Sequence, residues 1–426
     1  NTDRCSVALS RVIARLMTFR VTRMTHPNQP IVFIFGCTGT GKSDLGVEIA
    51  LKYGGEVVNA DSLQVYDELD IACNKITREE AKGIPHHLLG FLPSTATDYN
   101  VHKYREAALE VIDGIHGRGV LPIVVGGTSY YIESLLYKGN LIDTGMERLD
   151  EIEPYSSLSN EELHSELMRV DSDSASKVHP NNRARVWRAL QIYLKTGKKK
   201  SEYIAQVKEE SGTNMGSLRW KNSLLLYLDA PLIILNERLD RRVIKMRTGG
   251  LRKEIEQFWD KYSTVLKGEQ YGILQSIGLK EFLPYLERRA EGKVDENLFT
   301  RGIEEVQLHT RQYSNRQRRW VSNRFVKDVE GRENPSFVAL DSSNPSEMIN
   351  EGVEVVGRFM KGEKIENSRS EESLKESKDD ANRLFHCEIC DRTMTGTMSY
   401  ETHLKSKPHR KRKESQLRKK KEEIEL

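Results

Sequence analysis

The fold of this chain is decided by residues 31–53, which read IVFIFGCTGTGKSDLGVEIALKY. Residues 31–36 are a continuous apolar run, which is typical of a strand buried in a parallel sheet. Residues 36–43, GCTGTGKS, match the pattern G-x-x-x-x-G-K-[ST], and the residues after them have the apolar spacing of a helix. A strand, a glycine-rich loop and a helix in this order predict a site for a phosphate or diphosphate group.

The chemistry of this loop lies in its backbone and in two side chains. Its glycines allow backbone N–H groups to surround phosphate oxygens at the N-terminus of a helix. Lys42 adds a positive charge, and the hydroxyl of Ser43 can ligate a phosphate-bound Mg²⁺. We expect the phosphate contacts to come from Gly36, Thr38, Gly39, Thr40, Gly41, Lys42 and Ser43.

Further strands and helices extend this unit into an α/β domain. Strands are predicted at EVVNAD (56–61), VLPIVVGGT (120–128) and SLLLYLDAP (223–231), and helical patterns separate them. This alternation predicts a mainly parallel, P-loop NTPase-like sheet, built from residues 31–145 and 216–330. Residues 146–215 are polar and helical in period, so we expect a helical subdomain inserted into this core.

The composition argues against two classes of protein. No apolar run is long enough to span a membrane, and five unevenly spaced cysteines do not form a disulfide framework. Charged residues make up 30% of the 426 residues, the formal net charge is only +3, and Lys and Arg concentrate at both ends. Such local bias is common in nucleic-acid-binding proteins, although a highly charged solvated surface has the same composition.

Residues 1–30 have the composition of a targeting segment. They contain five arginines and one acidic residue, and their apolar residues are spaced as on an amphipathic helix. This pattern is typical of a mitochondrial transit peptide, with a disordered basic arm as the alternative. Met17 and Met24 can act as internal starts that remove the segment. We therefore expect a mitochondrial and cytoplasmic protein, with the nucleus as a further compartment.

A small metal site is predicted near the C-terminus, after a charged, serine-rich flexible linker at residues 361–383. Cys387 and Cys390 form a C-x₂-C pair, His403 follows after twelve residues and His409 after five more. The spacing fits a tetrahedral Cys₂His₂ zinc site, and zinc would supply the folding energy of residues 384–413. With the basic tail at 414–426, this finger is expected to contact an RNA backbone; protein interaction is the alternative.

Asp61 is a candidate general base because it ends a predicted strand. An ordinary P-loop NTPase has a metal-holding acid after a buried strand elsewhere in the sheet. Here the strand VLPIVV leads into GGT, with no acid. A carboxylate opposite a bound diphosphate suits an enzyme that removes a proton. The alternative is that Asp61 only caps the helix that follows it.

Eight motifs follow one another along the chain. The first four are GCTGTGKS (36–43), NADSLQVY (59–66), PHHL (85–88) and VVGGTSYY (124–131). The next four are HPNNRARVWRALQIY (179–193), RLDRRVIKMRTGGL (238–251), QSIGLKEF (275–282) and TRQYSNRQRRW (310–320). With these motifs in this order, the chain resembles the tRNA dimethylallyltransferase family over about residues 31–325. The Cys/His segment points to the eukaryotic branch of the family. One departure is Arg183-Ala184, which stands where the bacterial motif has Pro-Gln.

The resemblance implies a prenyl transfer. The loop would hold dimethylallyl diphosphate, and the dimethylallyl group would pass to the exocyclic amino group of the adenine 3′ of the anticodon. By similarity, Asp61 accepts the amino proton, while Lys42, Ser43 and Mg²⁺ neutralise the leaving diphosphate. Thr128 resembles a residue at the boundary between the active site and the tRNA.

The same resemblance assigns a second catalytic cation. Arg242 resembles an arginine that clasps the diphosphate from the side opposite the loop. Arg238, one turn before it, is the alternative for that role. Without the resemblance, either arginine would be interpreted as an ordinary exposed helix charge.

An extended contact with the tRNA anticodon stem-loop is also implied. The implied tRNA-binding residues are Asp61, Ser62, Leu63, Gln64, Arg185, Arg188, Gln275, Gly278 and Lys280. The target adenine has to leave its stack to reach a recessed carboxylate, which costs little in a single-stranded loop. A solvated helix face is the alternative for the basic residues. We expect Mg²⁺ and structural Zn²⁺ as cofactors, no membrane contact, and a monomer.

Three other functions fit part of the sequence. A P-loop kinase would need an acid on the strand that ends in GGT, and it has no use for the finger. An isopentenyltransferase acting on free adenine nucleotides would not need the inserted helices. A zinc-finger RNA-binding protein with a degenerate loop would not need to keep Lys42, Ser43 and Asp61 together.

Overall fold

The structure is a computed structural model. It describes residues 28–142, 154–212, 215–269, 271–326, 335–367, 384–395 and 397–424. The predicted targeting segment, apart from its last three residues, lies outside the described residues. So does most of the predicted linker, from residue 368 to residue 383.

The strands of the described residues are numbered in chain order. They are β1 (Ile31–Gly36), β2 (Gly55–Asn59), β3 (His86–His87), β4 (Leu121–Gly126), β5 (Tyr137–Lys138), β6 (Ser217–Leu218), β7 (Ser223–Asp229), β8 (Ser336–Asp341), β9 (Leu384–Cys387) and β10 (Arg392–Thr395). The central sheet has the order β3-β2-β4-β1-β7-β8, and every pairing in it is parallel. The predicted α/β core is therefore confirmed.

The helices are numbered in the same way. They are α1 (Lys42–Tyr53), α2 (Val101–Gly117), α3 (Ser129–Leu136), α4 (Asn160–Val170), α5 (Ser172–Ala175), α6 (Arg183–Thr196), α7 (Lys200–Ser211), α8 (Leu232–Thr248), α9 (Leu251–Tyr262), α10 (Leu283–Ala290), α11 (Glu296–Val321), α12 (Pro345–Met360), α13 (Thr397–Leu404) and α14 (Lys407–Ile424). No helix among the described residues is long and apolar enough to cross a membrane.

Both faces of the central sheet are covered, which explains why β1 is apolar at every position. Ile31, Phe33 and Phe35 point into one core with α2 and α3. Val32 and Ile34 point into a second core with α1 and α12. Full burial of each such side chain contributes roughly 1.5–3 kcal/mol, so the strand behind the glycine-rich loop is held firmly.

The inserted helical subdomain has a small core of its own, made by α4, α5 and α6. Its ends are joined to the main core where β5 pairs with β6 in an antiparallel ribbon. A third core packs the segment after Asp61 against α9, α10 and α11. This packing supports the segment that faces the helical subdomain.

The α/β core extends past residue 330, where the predicted boundary lies. Strand β8 is the sixth strand of the sheet, and α12 packs beside α1. The predicted linker also begins too early, because Ile365 is buried and the Asn367 carboxamide accepts a hydrogen bond from the Phe337 N–H at 2.8 Å. Residues 361–367 are tied to the sheet edge for these reasons.

The C-terminal segment has the order strand, strand, helix. β9 and β10 pair in antiparallel fashion, and α13 follows them. α14 then begins at Lys407, contains His409, and continues to Ile424, so the predicted tail is largely part of this helix.

Candidate active site

The glycine-rich loop joins β1 to α1 at the carboxyl edge of the sheet. Gly36 is required by close packing, because a Cβ there would lie 2.2 Å from the backbone oxygen of Leu228. The Thr40 hydroxyl donates to the carbonyl of Cys37 at 2.9 Å, which fixes the curvature of the loop. The predicted phosphate contacts therefore lie together, from the end of β1 to the first turn of α1.

Two cations lie at this loop. The Lys42 ammonium donates to the carbonyl of Cys37 at 2.7 Å, and Arg242 donates to the Thr38 hydroxyl at 2.8 Å. Burial lowers the pKa of Lys42 to about 8 and the pKa of Arg242 to about 10, although the charge of Asp61 partly opposes both shifts. A bound anion would stabilise both cations and raise both pKa values.

Helix α8 presents Arg242 to the loop. Leu235 packs in a buried cluster with Cys37, and Leu239 lies 2.9 Å from the position a Cβ would take on Gly39. Arg238 points elsewhere: it donates to the carbonyls of Ser342 and Ser343, both at 2.7 Å. Of the two arginines, only Arg242 lies at the glycine-rich loop.

Asp61 follows β2, and its two carboxylate oxygens have different surroundings. Oδ1 accepts hydrogen bonds from the N–H groups of Leu63 at 2.9 Å and Gln64 at 3.4 Å. This is the capping geometry that the alternative interpretation predicted. Oδ2 lies 3.8 Å from the position a Cβ would take on Gly127, and within the described ranges it accepts no hydrogen bond. The Asp61 carboxylate thus caps a turn with Oδ1, while Oδ2 stays available for a catalytic role.

The GGT turn after β4 lies beside Asp61. The Thr128 hydroxyl accepts from the Ser62 N–H at 3.0 Å and lies 3.2 Å from the Ser62 hydroxyl. A Cβ on Gly126 would lie 2.1 Å from the carbonyl oxygen of Ala60. The double glycine therefore allows the ends of β4 and β2 to touch.

Two residues of this site, both on α11, were not predicted from the sequence. The Gln317 carboxamide accepts from the Thr38 N–H at 2.9 Å and donates to the Gly127 carbonyl at 2.7 Å. Tyr313 lies one turn before it; burial raises the pKa of Tyr313, and the charge of Asp61 raises it further. The motif TRQYSNRQRRW was visible, and its spacing of four puts both side chains on one helix face.

The described part of the sheet offers no acid of the kind that holds metal in NTPases. Asp229 ends β7, beside β1, but it is almost fully buried in a bidentate ion pair with Arg318, with N···O distances of 2.8 and 2.9 Å. Asp341, at the end of the outermost strand β8, accepts hydrogen bonds from the Ser343 N–H and hydroxyl at 2.9 and 2.6 Å. Ser43 and Asp61 are therefore the candidate oxygen ligands next to the glycine-rich loop. The arrangement does not favour the kinase alternative.

A cavity of about 540 Å³ opens beside Asp61, between the core and the helical subdomain. The core side is rich in aromatic rings, and Tyr131 in this wall stacks on Tyr104 with 3.8 Å between ring centroids. The opposite side carries Arg188 and Lys200. The residues that line the cavity include Ser62, Leu63, Tyr66, Tyr99, Tyr130, Tyr131, Arg188, Lys200, Tyr271 and Gln275. Tyrosine faces opposite cations suit an unstacked nucleic-acid base and its phosphates.

Four of the residues implied in tRNA binding line this cavity: Ser62, Leu63, Arg188 and Gln275. Arg185 and Lys280 are exposed and do not line it.

Two more residues implied in tRNA binding have partners within the protein. The Gln64 carboxamide donates to the carbonyls of Cys73 and Asn74, at 3.2 and 3.0 Å. Gly278 is buried against Ala72 and its N–H donates to Glu281 at 2.9 Å, so it shapes this segment instead of offering a surface.

The PHHL motif has a structural role. The carbonyl of Leu88 accepts from the Asn59 side chain at 2.9 Å, at the point where β2 leads into Asp61. His87 pairs with Glu56 of the neighbouring strand β2 at 2.6 Å. Within the described part of the chain, His87 belongs to no cluster of metal-ligating side chains.

Cys387, Cys390, His403 and His409 lie together, with ligand atoms within 4.8 Å of one another. Both cysteine sulfurs are 3.5 Å from the Nδ1 atom of His409, which is 3.2 Å from the Nε2 atom of His403. Tetrahedral zinc with ordinary bond lengths needs edges of about 3.6 Å and about 3.3 Å for these pairs. The four residues fit a structural zinc ion.

Fold and site together define an α/β transferase-like protein, in which a phosphate-binding loop faces a carboxylate beside a cavity large enough for a base and its flanking groups. The model of the IPP transferase family matches residues 64–324, the isopentenyl transferase model matches residues 29–89, and a C2H2-type zinc-finger model matches residues 385–409. The chain belongs to the tRNA dimethylallyltransferase family.

Relatives support this assignment along most of the chain. The tRNA dimethylallyltransferase of Mus musculus is 36% identical over 430 residues, covering 95% of this chain and 89% of the relative. That of Homo sapiens is 37% identical over 402 residues, covering 89% and 85%. A crystal structure of a eukaryotic dimethylallyltransferase acting on tRNA has a TM-score of 0.77 and 30% identity, covering 94% of this chain and all of that one (100%).

Proposed function

We propose that this chain transfers the dimethylallyl group of dimethylallyl diphosphate to the exocyclic amino group of the adenine 3′ of the anticodon in tRNA. The observation that carries the proposal is the position of Asp61, which stands between the glycine-rich loop with its two cations and the aromatic cavity. The names of the relatives agree with it.

The reaction needs one bond to form and one to break. The amino nitrogen attacks the allylic carbon, the carbon–oxygen bond to the diphosphate breaks, and the amino proton goes to Oδ2 of Asp61. Oδ1 is held by two backbone N–H groups, so the carboxylate keeps its orientation during the transfer. A base aligned in this way typically contributes about 10²–10⁴ to a rate.

Charge at the leaving group is the second contribution. Negative charge grows on the diphosphate as the carbon–oxygen bond breaks, and Lys42 and Arg242 stabilise it from opposite sides. Because both cations are poorly solvated, their interaction with this charge is stronger than it would be in water. Mg²⁺ would screen the same charge when bound, with Ser43 and the diphosphate oxygens as its ligands.

The cavity suits a single-stranded base, which supports an anticodon-loop adenine as the acceptor. Tyr99, Tyr130 and Tyr271 supply ring surface, while Arg188 and Lys200 supply positive charge for the flanking phosphates. The finger extends this surface: the His179 side chain hydrogen-bonds with the Thr393 carbonyl at 2.9 Å, which joins the zinc-binding segment to the helical subdomain. Its lysines and arginines are proposed to contact the tRNA backbone.

Oligomeric state and location belong to the same proposal. The protein is proposed to act as a monomer. A mitochondrial and cytoplasmic distribution is supported by the five arginines of residues 1–30 and by Met17 and Met24. Imaging of the chain with and without residues 1–30 tests the distribution, and sedimentation tests the monomer.

The direct test is incubation with labelled dimethylallyl diphosphate, unmodified tRNA and free AMP in one reaction. We expect label in tRNA, at the adenine 3′ of the anticodon, and none in AMP. An Asp61→Asn variant is the matched control, because it keeps the shape of the side chain and removes the base. Label in AMP would instead favour the free-nucleotide alternative, and phosphate transfer from ATP would favour the kinase.

A further inference from the structure

We infer that Gln317 is a positioning residue that sets the distance between the bound diphosphate and the base Asp61. The inference rests on the proposed function and adds a residue to its site. Its basis is a pair of hydrogen bonds through which one buried side chain joins the two halves of the active site.

The geometry of this connection is specific to a carboxamide. The Gln317 oxygen accepts from the Thr38 N–H in the glycine-rich loop at 2.9 Å, and its nitrogen donates to the Gly127 carbonyl in the GGT turn at 2.7 Å. Gln317 is only 6% exposed. Because a buried amide without partners is destabilising, both bonds hold the loop and the turn at a set separation.

Gly127 provides the space for this connection. A Cβ on Gly127 would lie 2.5 Å from the Gln317 nitrogen and 3.8 Å from Oδ2 of Asp61. The carboxamide and the catalytic carboxylate therefore both lie close to this glycine. Movement of the turn would change the position of both.

Helix α11 is anchored just after Gln317. Arg318, the next residue, makes the bidentate ion pair with Asp229 at the end of β7. Val321, one turn later, is fully buried in the core on the α2 side of the sheet. Because the helix cannot shift easily, Gln317 acts as a fixed spacer and not as a side chain that follows the loop.

The spacer acts on the reacting atoms through Thr38. The Thr38 N–H donates a hydrogen bond to Gln317, and the Thr38 hydroxyl accepts one from Arg242 at 2.8 Å, so Thr38 is fixed from both sides. The glycine-rich loop positions the diphosphate, while the GGT turn contacts the Asp61 turn through Thr128 and Ser62. A displacement of about 1 Å between donor and base can lower a rate about 100-fold, even when both substrates still bind.

The test uses the full-length protein and single-turnover transfer with both substrates saturating. Gln317→Met keeps the length of the side chain and removes both hydrogen bonds. We expect the transfer rate to fall about 30- to 100-fold, while the dissociation constant for tRNA changes less than about twofold. Gln312→Met is the matched control, since it places the same substitution at an exposed position of α11, and it should have the wild-type rate.

Gln317→Glu gives a second measurement that does not depend on the first variant folding. A carboxylate can still accept from the Thr38 N–H, but it cannot donate to the Gly127 carbonyl, and it adds a negative charge at the diphosphate site. We expect a slower transfer and also weaker binding of dimethylallyl diphosphate, which Gln317→Met should weaken only a few-fold. A positioning role predicts that Gln317→Met lowers mainly the transfer rate, whereas Gln317→Glu lowers both the rate and the affinity for dimethylallyl diphosphate. A general loss of stability would not separate the two variants in this way.

The outcomes separate the two proposals. If Gln317→Met transfers at the rate of Gln312→Met, or if its melting temperature falls without any loss of rate, Gln317 is structural and the inference is wrong. If the wild-type protein does not label tRNA, the proposed function fails instead. Circular dichroism of each variant shows whether the fold is retained.

Discussion

Lys42 should make the binding of dimethylallyl diphosphate depend on pH above about 8. Burial lowers the pKa of this ammonium to about 8 in the free protein. A bound diphosphate stabilises the charged form, so its pKa in the complex is higher. Binding therefore takes up a proton whenever Lys42 is neutral in the free protein. Affinity is at its full value well below pH 8 and falls as the pH rises through 8.

The size of this effect follows from the pKa. With a value of about 8, the ratio of neutral to charged Lys42 is about 0.3 at pH 7.5 and about 30 at pH 9.5. The protonated fraction, and with it the affinity, should fall about 25-fold between these pH values, which is about 1.9 kcal/mol. Arg242, with a pKa of about 10, stays mostly charged over this range. The phosphate groups, whose last pKa is about 6, do not change charge.

Titration calorimetry without tRNA measures this directly. Repeating each titration in two buffers of different ionisation enthalpy gives the number of protons taken up, which should be close to one at pH 9.5. Lys42→Arg should bind with little pH dependence, and Lys52→Arg, an exposed lysine on the same helix, should behave as wild type. An affinity that stays constant or rises between pH 7.5 and 9.5 would show that Lys42 does not contact the diphosphate.

Four further variants test the site and the finger. Asp61→Asn should lower the single-turnover rate about 10²–10⁴-fold with tRNA affinity retained, measured by quench flow; a wild-type rate would leave Asp61 as a cap only. Arg242→Ala should lower the rate about 10²–10³-fold with an unchanged melting temperature. Arg238→Ala should keep the rate and lose about 1–3 kcal/mol of unfolding free energy in urea. The reverse pattern would exchange the two roles. Removing residues 384–426 should leave the single-turnover rate intact and lower the slope of log affinity against log salt by about 0.7 to 0.9 for each tRNA phosphate that the finger neutralises. An unchanged slope would favour a protein-binding finger.

Local patterns in the sequence were sufficient for the parts of the protein that depend on neighbouring residues. The glycine-rich loop, the buried strand before it and the helix after it are contiguous, so their geometry follows from residues 31–53. The zinc site is similar, because four ligands within twenty-three residues leave few ways to surround a metal. The α/β class follows from the alternation of strands and helices.

Other parts required the tertiary structure, because they depend on which distant segments meet. Arg238 and Arg242 are one helical turn apart and have the same sequence context; only the packing of α8 shows that Arg242 lies at the loop. The sixth strand, β8, was not predicted from the sequence, and only the tertiary structure places it in the sheet next to β7.

Gln317 is the strongest example of this second kind. It is 279 residues from Thr38 and 190 from Gly127, and its amide bonds to backbone groups that carry no side-chain signal. Asp61 needed both the sequence and the structure. Its position after a strand indicated either a base or a cap, and the structure shows that Oδ1 caps the turn while Oδ2 lies beside Gly127. Local spacing therefore identified which residues could take part, and long-range packing determined how they face one another.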